Sequence, residues 1–213
     1  MKDDTSPRLS QDLIASRKIV RLLVGTVTHS CLLTAFLIFG GAIAMSQTNP
    51  PSQKNPAEIG RALRSMMLTA PPKNLGIQPT KSFPRVYGVL MDWPLQNGTA
   101  TIVSLCDGNA SLYTTSTFGI IGGVAHESVR AAAIQFVATA ERHFDAAVPT
   151  KEYPYPQPGH VRFYLTCFDG VRMIEAEEAS LKTGKDKYSE LWKVGQQVIA
   201  ELHSITQKAD KKP

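Results

Sequence analysis

The feature that most constrains this chain is an uncharged run near its N-terminus. Residues 22–45 contain no lysine, arginine, aspartate or glutamate, and residues 32–44 are densely apolar. As a helix, these 24 residues would extend roughly 36 Å at about 1.5 Å per residue, which is enough to cross a hydrocarbon core of about 30 Å. The run therefore decides whether the rest of the chain folds in the cytosol or beyond a membrane.

The charges around this run indicate its orientation. Five basic residues precede it within residues 1–21, and no basic residue follows it until Lys54. Since basic residues are retained on the cytoplasmic side, the pattern predicts a cytoplasmic N-terminus and an exported remainder. Two forms of export fit: a transmembrane anchor over 22–45, or a signal peptide cleaved after the Ala-Ile-Ala sequence at 42–44. A third reading is that translation starts at Met45, which would leave the protein in the cytoplasm.

Net charge argues against a nucleic-acid partner. The formal charge is +5, and the first 44 residues contribute +2 of it from five basic and three acidic side chains, so residues 45–213 carry +3. That charge is small for a nucleic-acid surface, and no basic stripe with interleaved aromatic residues is present. The sequence therefore predicts no nucleic-acid partner.

Cysteine usage leaves two readings open. Outside the uncharged run the chain has two cysteines, Cys106 and Cys167, both on predicted strands. Neither has cysteine or histidine neighbours at metal-ligand spacing, so we predict no metal site and no cofactor. In an oxidising compartment the two thiols could pair, but two buried free thiols that behave as small apolar groups are the favoured reading.

Composition divides the chain into five parts. They are a basic cytoplasmic N-terminus at 1–21, the uncharged run at 22–45, a polar linker at 46–54, a single α/β domain at 55–206, and a basic, disordered tail at 207–213. The linker assignment rests on its polar, proline-containing sequence, which has no apolar surface to bury.

The domain is predicted to open with a helix. Asn55 can cap it, Pro56 suits its first position, and Glu58 completes an arrangement like a capping box. The prolines at 71–72 end it. Apolar spacing predicts a buried face made of Ile59, Leu63, Met66 and Met67, with Arg61 and Arg64 away from that face.

Alternating, β-branched segments predict five strands. They lie at 85–92, 99–106, 110–116, 161–168 and 171–176. Asp-Gly pairs at 107–108 and 169–170 predict tight turns between neighbouring strands, because both residue types tolerate turn conformations. Two more amphipathic helices are predicted at 125–146 and 188–205.

This order of elements predicts an α+β fold. Its sheet would have five antiparallel strands in the order α-βββ-α-ββ-α, preceded by an N-terminal hydrophobic helix. The arrangement is similar to that of longin and roadblock domains, a similarity that covers topology only. Residues 87–130 (YGVLMDWPLQNGTATIVSLCDGNASLYTTSTFGIIGGVAHESVR) also resemble a bacterial protein family of uncharacterised function. That resemblance implies no activity.

A glycine-rich turn leads into the central helix and is a candidate anion site. Gly119, Gly122 and Gly123 lie in the sequence FGIIGG, and backbone amides at a helix start can hold an anion. Ser116 and Thr117 would supply hydroxyl contacts. However, no lysine follows the glycines as in a phosphate-binding loop, and the spacing is not that of a dinucleotide site. The more common role of such glycines is a tightly packed turn.

Candidate catalytic groups lie near the predicted strand ends. His126 could act as a general base if a nucleophile and an orienting acid lay beside it, and Asp107, Ser116 and Asp92 are available by type. There is no nucleophile-elbow sequence. The common alternative is an exposed histidine in the first helical turn, next to a Glu127 that the helix dipole favours.

Aromatic residues beside prolines are candidate interaction surfaces. Trp93 lies between Asp92 and Pro94, where it could anchor an interface or cap the core. Tyr153 and Tyr155 alternate with prolines, which suits either a peptide-docking surface or a stiff loop.

Together these patterns predict a non-enzymatic interaction or regulatory domain, exported and either tethered or released. Its predicted partners are the membrane, through the N-terminal segment, and an unidentified protein or a second copy of the chain, since sheet edges offer a route for pairing. The alternative hypothesis is a small hydrolase or ligand-binding domain that uses the turn at 119–126.

Overall fold

The computed structural model describes residues 55–116 and 119–210. The predicted hydrophobic helix at 22–45 and the linker at 46–54 lie outside these residues. All elements described below belong to one unit of the chain, Pro50–Pro213.

The described residues form a seven-stranded antiparallel sheet, so the prediction of five strands is wrong. Strand order across the sheet is β4-β3-β2-β1-β6-β7-β5. In chain order the strands are β1 (Val86–Leu95), β2 (Gly98–Leu105), β3 (Ala110–Thr114), β4 (Gly119–Ile121), β5 (Val148–Thr150), β6 (His160–Cys167) and β7 (Gly170–Glu177). The five predicted strands correspond to β1, β2, β3, β6 and β7.

The two strands that sequence patterns missed are the sheet edges. β4 and β5 have three residues each, and β5 has Pro149 at its centre. Three residues contain too little alternation to show a period of two, and a proline argues against a strand. Both strands instead depend on a longer neighbour, because β4 pairs with β3 and β5 pairs with β7.

Tight turns connect the central strands as predicted. Gly108, between β2 and β3, has a φ of +89°, and Gly170, at the start of β7, has a φ of +138°. Both values lie in a region that glycine adopts at little cost. Both Asp-Gly turns are thereby confirmed.

Four α-helices accompany the sheet in the described residues. They are α1 (Pro56–Thr69), α2 (Glu127–Glu141), α3 (Glu178–Lys182) and α4 (Ser189–Asp210). Asn55 caps α1 as predicted, since its Oδ1 accepts a hydrogen bond from the backbone N–H of Ala57 at 3.1 Å. The helix α2 is shorter than the one predicted at 125–146, because the predicted ends form 3-10 turns at Gly123–Ala125 and Phe144–Ala146.

The C-terminal helix α4 is longer than predicted, since it continues to Asp210. Over residues 55–116 and 119–210, no helix combines the length and the apolar character that a membrane crossing requires.

Helices cover both faces of the sheet. On one face, α2 and α4 pack over the alternate side chains of β1, β2 and β6, and this core includes the fully buried Phe136, Phe163 and Leu191. On the other face, α1 packs over a second cluster that includes Leu90 and Tyr164. The sheet is therefore a central layer between helices, which positions the site described below.

The buried face of α1 differs from the predicted one. Leu63 and Met67 are buried as predicted, but Ile59 and Met66 are each 43% exposed. Arg64, predicted to lie away from the core, is only 6% exposed. The helix is rotated about its axis relative to the prediction, because its arginine has a partner inside the sheet.

Candidate functional site

A buried ion pair joins α1 to the centre of the sheet. The Nη2 and Nε atoms of Arg64 lie 2.5 and 2.9 Å from Oδ2 of Asp92. The side chain of Asp92 is 0% exposed, and its Oδ1 also accepts a hydrogen bond from the Thr101 hydroxyl at 2.5 Å. Asp92 is therefore fully engaged by α1 and by the neighbouring strand β2.

Burial and the partner residue together shift the pKa of each member of this pair. Burial lowers the pKa of Arg64, but the hydrogen bond and charge of Asp92 raise that pKa above its ordinary value. Burial raises the pKa of Asp92 above its ordinary value, although the hydrogen bonds from Arg64 and Thr101 and the charge of Arg64 lower it. An ionised carboxylate at this depth needs such partners. The carboxylate of Asp92 is therefore occupied by hydrogen bonds from Arg64 and Thr101 and is not free to orient His126.

The proline-rich segment 151–158 lies over the ion pair. Hydrogen bonds from neighbouring side chains to its backbone carbonyls hold it there. Three successive carbonyl oxygens accept hydrogen bonds from side chains: Tyr153 from Arg64 (2.9 Å), Pro154 from Tyr164 (2.6 Å) and Tyr155 from Arg162 (3.1 Å). Alternating prolines favour an extended backbone that leaves its carbonyls free for such bonds.

The two tyrosines predicted as docking aromatics face inward. The ring of Tyr155 lies over the guanidinium of Arg64, with the carbon Cζ 4.1 Å from the ring centroid. The ring of Tyr153 meets that of Tyr164 edge-on, with centroids 5.9 Å apart. The segment is therefore a fixed part of the fold, and two of its residues, Lys151 and Tyr153, also border a groove.

That groove has a volume of about 590 Å³. It runs between the end of α1, the segment that follows β5 and the turn between β6 and β7. Its apolar and aromatic lining residues are Leu68, Ala70, Pro71, Pro72, Tyr87, Pro149, Tyr153, Phe168 and Val171. Binding sites for small ligands and peptides have this size and character.

Two aromatic rings form the floor of the groove. The centroids of Tyr87 and Phe168 lie 5.3 Å apart, with the rings tilted by 47°. The Tyr87 hydroxyl donates a hydrogen bond to the carbonyl oxygen of Ala70 at 3.3 Å, which ties the floor to the end of α1. Lys151 and Asp169 also line the groove, and Asp169 forms an ion pair with Arg172 at 3.4 Å.

The structure brings two of the predicted catalytic residues to the same end of the sheet. Asp107 lies in the turn between β2 and β3, and the adjacent Gly108 is covered by the side chain of Arg130 on the first turn of α2. His126 immediately precedes that helix and is exposed. Both carboxylate oxygens of Asp107 accept hydrogen bonds from Asn109, and among the described residues no hydrogen bond joins Asp107 to His126.

Ser116 lies at the opposite end of the same hairpin. Strand β3 leads away from the turn at Asp107, and Thr115, just before Ser116, donates its backbone N–H to Thr99 at the start of β2 (3.0 Å). At about 3.4 Å per residue, this end is some 20 Å from the turn. A nucleophile at Ser116 would therefore be far from a base at His126. A catalytic role for either residue stays a prediction.

The glycine turn is tightly packed. Gly122 has a φ of +86°, and a Cβ on Gly123 would lie 2.4 Å from Val129 and 2.9 Å from Leu202. Gly119 is the exposed first residue of β4. This packing supports the reading of a close strand-to-helix turn, and an anion site there stays a prediction.

Trp93 contacts the α3 and α4 helices. Its indole Nε1 donates a hydrogen bond to Glu178 at 2.8 Å, and its ring meets Trp192 edge-on with centroids 5.2 Å apart. Lys182 lies 2.5 Å from the same carboxylate. Of the two roles weighed for Trp93, these contacts favour the core cap.

The Trp93–Glu178 contact predicts a local pH response. Burial raises the pKa of Glu178, but the hydrogen bonds from Lys182 and Trp93 lower it below its ordinary value of 4.5. A lowered pKa contributes stability that is present above about pH 4.5 and is lost as the pH falls through the lower folded-state pKa. In NMR titrations, the indole N–H signal of Trp93 should shift below pH 4.5, and Glu178→Gln should remove that shift. A signal that titrates unchanged in the variant would contradict the contact.

The two cysteines flank the same strand on opposite sides. Cys106 donates its backbone N–H to Tyr87 of β1 at 2.9 Å, and Cys167 on β6 lies opposite Val86 of β1. Two inter-strand spacings correspond to about 9.6 Å between the Cα atoms. A disulfide requires less than about 7 Å. Both thiols are free, as the favoured reading of the sequence expected, but only Cys167 is buried and Cys106 is half-buried.

These thiols should react slowly in the folded protein. Burial, together with the nearby Asp107, raises the pKa of Cys106 to about 11, and burial with Asp169 raises that of Cys167 to about 12. Because the thiolate is the reactive form, maleimide or disulfide reagents at pH 8 should label both residues far more slowly in native protein than in denaturant. Site-resolved mass spectrometry separates them from Cys31. Rapid native labelling of Cys167 would contradict its burial.

Sequence reasoning missed both the ion pair and the groove. Arg64 and Asp92 are 28 residues apart, and the groove combines four separate segments, so no local pattern reports either feature. In the sequence, the prolines at 71–72 indicated only the end of a helix. Over the described ranges, no cluster of three or more histidine, cysteine, aspartate or glutamate side chains could hold a metal ion.

Comparison with known proteins gives no family assignment. No protein-family model matches the chain, and neither a search of curated proteins nor one of solved structures finds a significant match.

Proposed function

We propose that this protein is a non-enzymatic interaction domain that binds its partner in the groove between α1, β5 and the β6–β7 turn. The observation that carries the proposal is the lining of the groove. It combines the half-buried Phe168 and Tyr153 with prolines and aliphatic side chains, above a Tyr87 that is only 4% exposed, a surface that offers contact area at little cost in side-chain entropy.

The chemistry of the groove supports binding in preference to catalysis. Its one thiol, on Cys167, has a pKa raised to about 12, and no histidine lines the groove that could act as a general base for the hydroxyls of Thr69 and Thr150. A general base poised near neutral pH would be expected in an active site. The fully buried carboxylate of Asp92 is covered by Arg64 and Thr101 and has no access to a substrate.

We also propose, from the charge pattern of residues 1–54, that the domain is exported, with an anchor and a cleaved signal peptide as the two alternatives. Mapping the mature N-terminus and the cell fraction that contains the protein tests this. A chain that begins at Met45 in the cytosol would overturn the proposal.

Two tryptophan substitutions on α1 test the groove. Thr69 is exposed and lines the groove, whereas Ser65, one turn earlier, is exposed and does not. Partners captured by the full-length chain should be lost with Thr69→Trp and retained with Ser65→Trp, because only the first indole narrows the groove. Equal capture by both variants would count against the groove as the interaction surface.

A hydrolase assay tests the alternative. Ester, phosphate and glycoside substrates should show no turnover that depends on His126 or Asp107, because both residues lie far from Ser116. The expected result is equal background rates for the wild type, His126→Ala and Asp107→Ala. If the wild type is active and either substitution abolishes that activity in a folded protein, the interaction-only proposal is wrong.

A further inference from the structure

We infer that the groove binds the C-terminal end of a partner chain, with the free carboxylate beside Lys151 and apolar terminal side chains on Phe168, toward the buried Tyr87 beneath it. This inference rests on the proposed function and names the chemistry of the partner.

The charges on the groove select an anion. Lys151 is exposed and forms no ion pair in the described part of the chain, whereas Asp169 is paired with Arg172. The neighbouring Glu152 does not line the groove. The uncompensated charge is therefore positive, and its complement is a carboxylate.

The position of that charge fixes the direction of the bound peptide. The sheet order places β1, which carries Tyr87, three strands from β5, which Lys151 follows directly. Three inter-strand spacings of about 4.8 Å give roughly 14 Å. The end of α1 borders the Tyr87 side, and its carbonyl groups repel an anion there. The carboxylate therefore belongs at the Lys151 side, and the apolar residues before it extend toward Tyr87.

The edge strand rules out the most common alternative way to bind a peptide. An added β-strand would need the backbone donors of β5, but β5 has three residues and its centre is Pro149, which has no N–H. A ligand of the groove is therefore recognised by its side chains and by its charge and not by strand pairing. A chain terminus supplies both, and the groove of about 590 Å³ suits a segment of drug-like size.

The test uses one peptide in two forms. Fluorescein-labelled Gly-Ser-Gly-Leu-Phe, with either a free or an amidated C-terminus, is titrated with the full-length chain and followed by fluorescence anisotropy. An exposed ion pair contributes up to about 1 kcal/mol, so the free-acid peptide should bind about threefold to fivefold more tightly. Lys151→Gln should abolish that preference. Lys185→Gln, which changes an exposed lysine that does not line the groove, should leave it intact.

The outcomes separate this inference from the proposed function. Equal binding of both peptides overturns the carboxylate inference and leaves the groove as an interaction surface. The carboxylate inference also falls if neither peptide binds while Thr69→Trp still removes captured partners. If neither peptides nor partners depend on Thr69, both proposals fall. Binding of 1-naphthoate with the same dependence on Lys151, but without peptide binding, assigns the groove to a small carboxylate and overturns the peptide assignment.

Discussion

Replacement of Asp92 by alanine is expected to lower the free energy of unfolding by about 3–5 kcal/mol, because it leaves the guanidinium of Arg64 buried without its counter-charge. Thr101 loses the acceptor of its 2.5 Å hydrogen bond at the same time. A domain of this size has a total stability of roughly 5–15 kcal/mol. Urea denaturation followed by tryptophan fluorescence measures the change.

An exposed ion pair provides the control. Arg142 and Glu190 lie 2.7 Å apart, with both side chains more than half exposed, so Glu190→Ala should cost less than about 1 kcal/mol. Replacing both members of the buried pair, as Arg64→Met with Asp92→Leu, should recover most of the loss, since no charge then remains buried. A cost for Asp92→Ala no larger than that of Glu190→Ala would contradict the burial of the pair.

The same pair connects stability to the proposed binding surface. Arg64 holds the carbonyl of Tyr153 on one wall of the groove, and the helix that carries Arg64 ends in the other wall at Leu68 and Ala70. Both walls therefore depend on one guanidinium. The fraction of Asp92→Ala protein that remains folded should also bind a peptide or partner more weakly, although Asp92 does not line the groove.

The sheet has seven strands and not the predicted five, but the sequence located its five longer strands because their signals are local. Alternation over five to ten residues identified β1, β2, β3, β6 and β7, and Asp-Gly pairs marked two of the turns between them. These features need only a chain segment and its nearest neighbours. At the glycine-rich turn before α2, a side chain at Gly123 would meet Val129 and Leu202, which fits the close-packed connection that the glycines indicated.

The features that sequence patterns missed are those that depend on distant partners. Periodicity treats an arginine as an exposed position, so it assigned the buried face of α1 to Ile59 and Met66 and placed Arg64 outside. The partner that reverses this assignment is 28 residues away. Likewise, β4 and β5 are strands only because β3 and β7 pair with them.

The candidate site shows the same division. His126, Asp107 and Ser116 are the residue types that catalysis uses, and their types are visible in the sequence, but their distances are not. The groove has the opposite character, because its prolines and tyrosines are ordinary one by one. These residues form a binding surface only because the fold brings them together at one end of the sheet.

The second large effect is expected at Phe136, where α2 meets α4. Phe136 is 0% exposed, so Phe136→Ala should destabilise the domain by about 3–5 kcal/mol through lost burial and an unfilled cavity. Ile134 on the same helix is 36% exposed, and Ile134→Ala should cost about 1 kcal/mol or less. Similar losses for the two variants would contradict the packing described for α2.

A size exchange across this contact gives a sharper test. A Cβ built on Gly195 of α4 would lie 3.1 Å from the Phe136 ring and 2.9 Å from the Met91 sulfur, so Gly195→Leu alone should overpack the interface and cost about 1–3 kcal/mol. In the Phe136→Ala background the same leucine projects into the space that the ring has left. The double variant should then be more stable than Phe136→Ala alone, a coupling that double-mutant denaturation curves measure directly. Additive losses would mean that Gly195 and Phe136 do not share this space. Glycine in a helix costs about 1 kcal/mol relative to alanine. In that case the close approach of the two helices would not explain why α4 has a glycine at position 195.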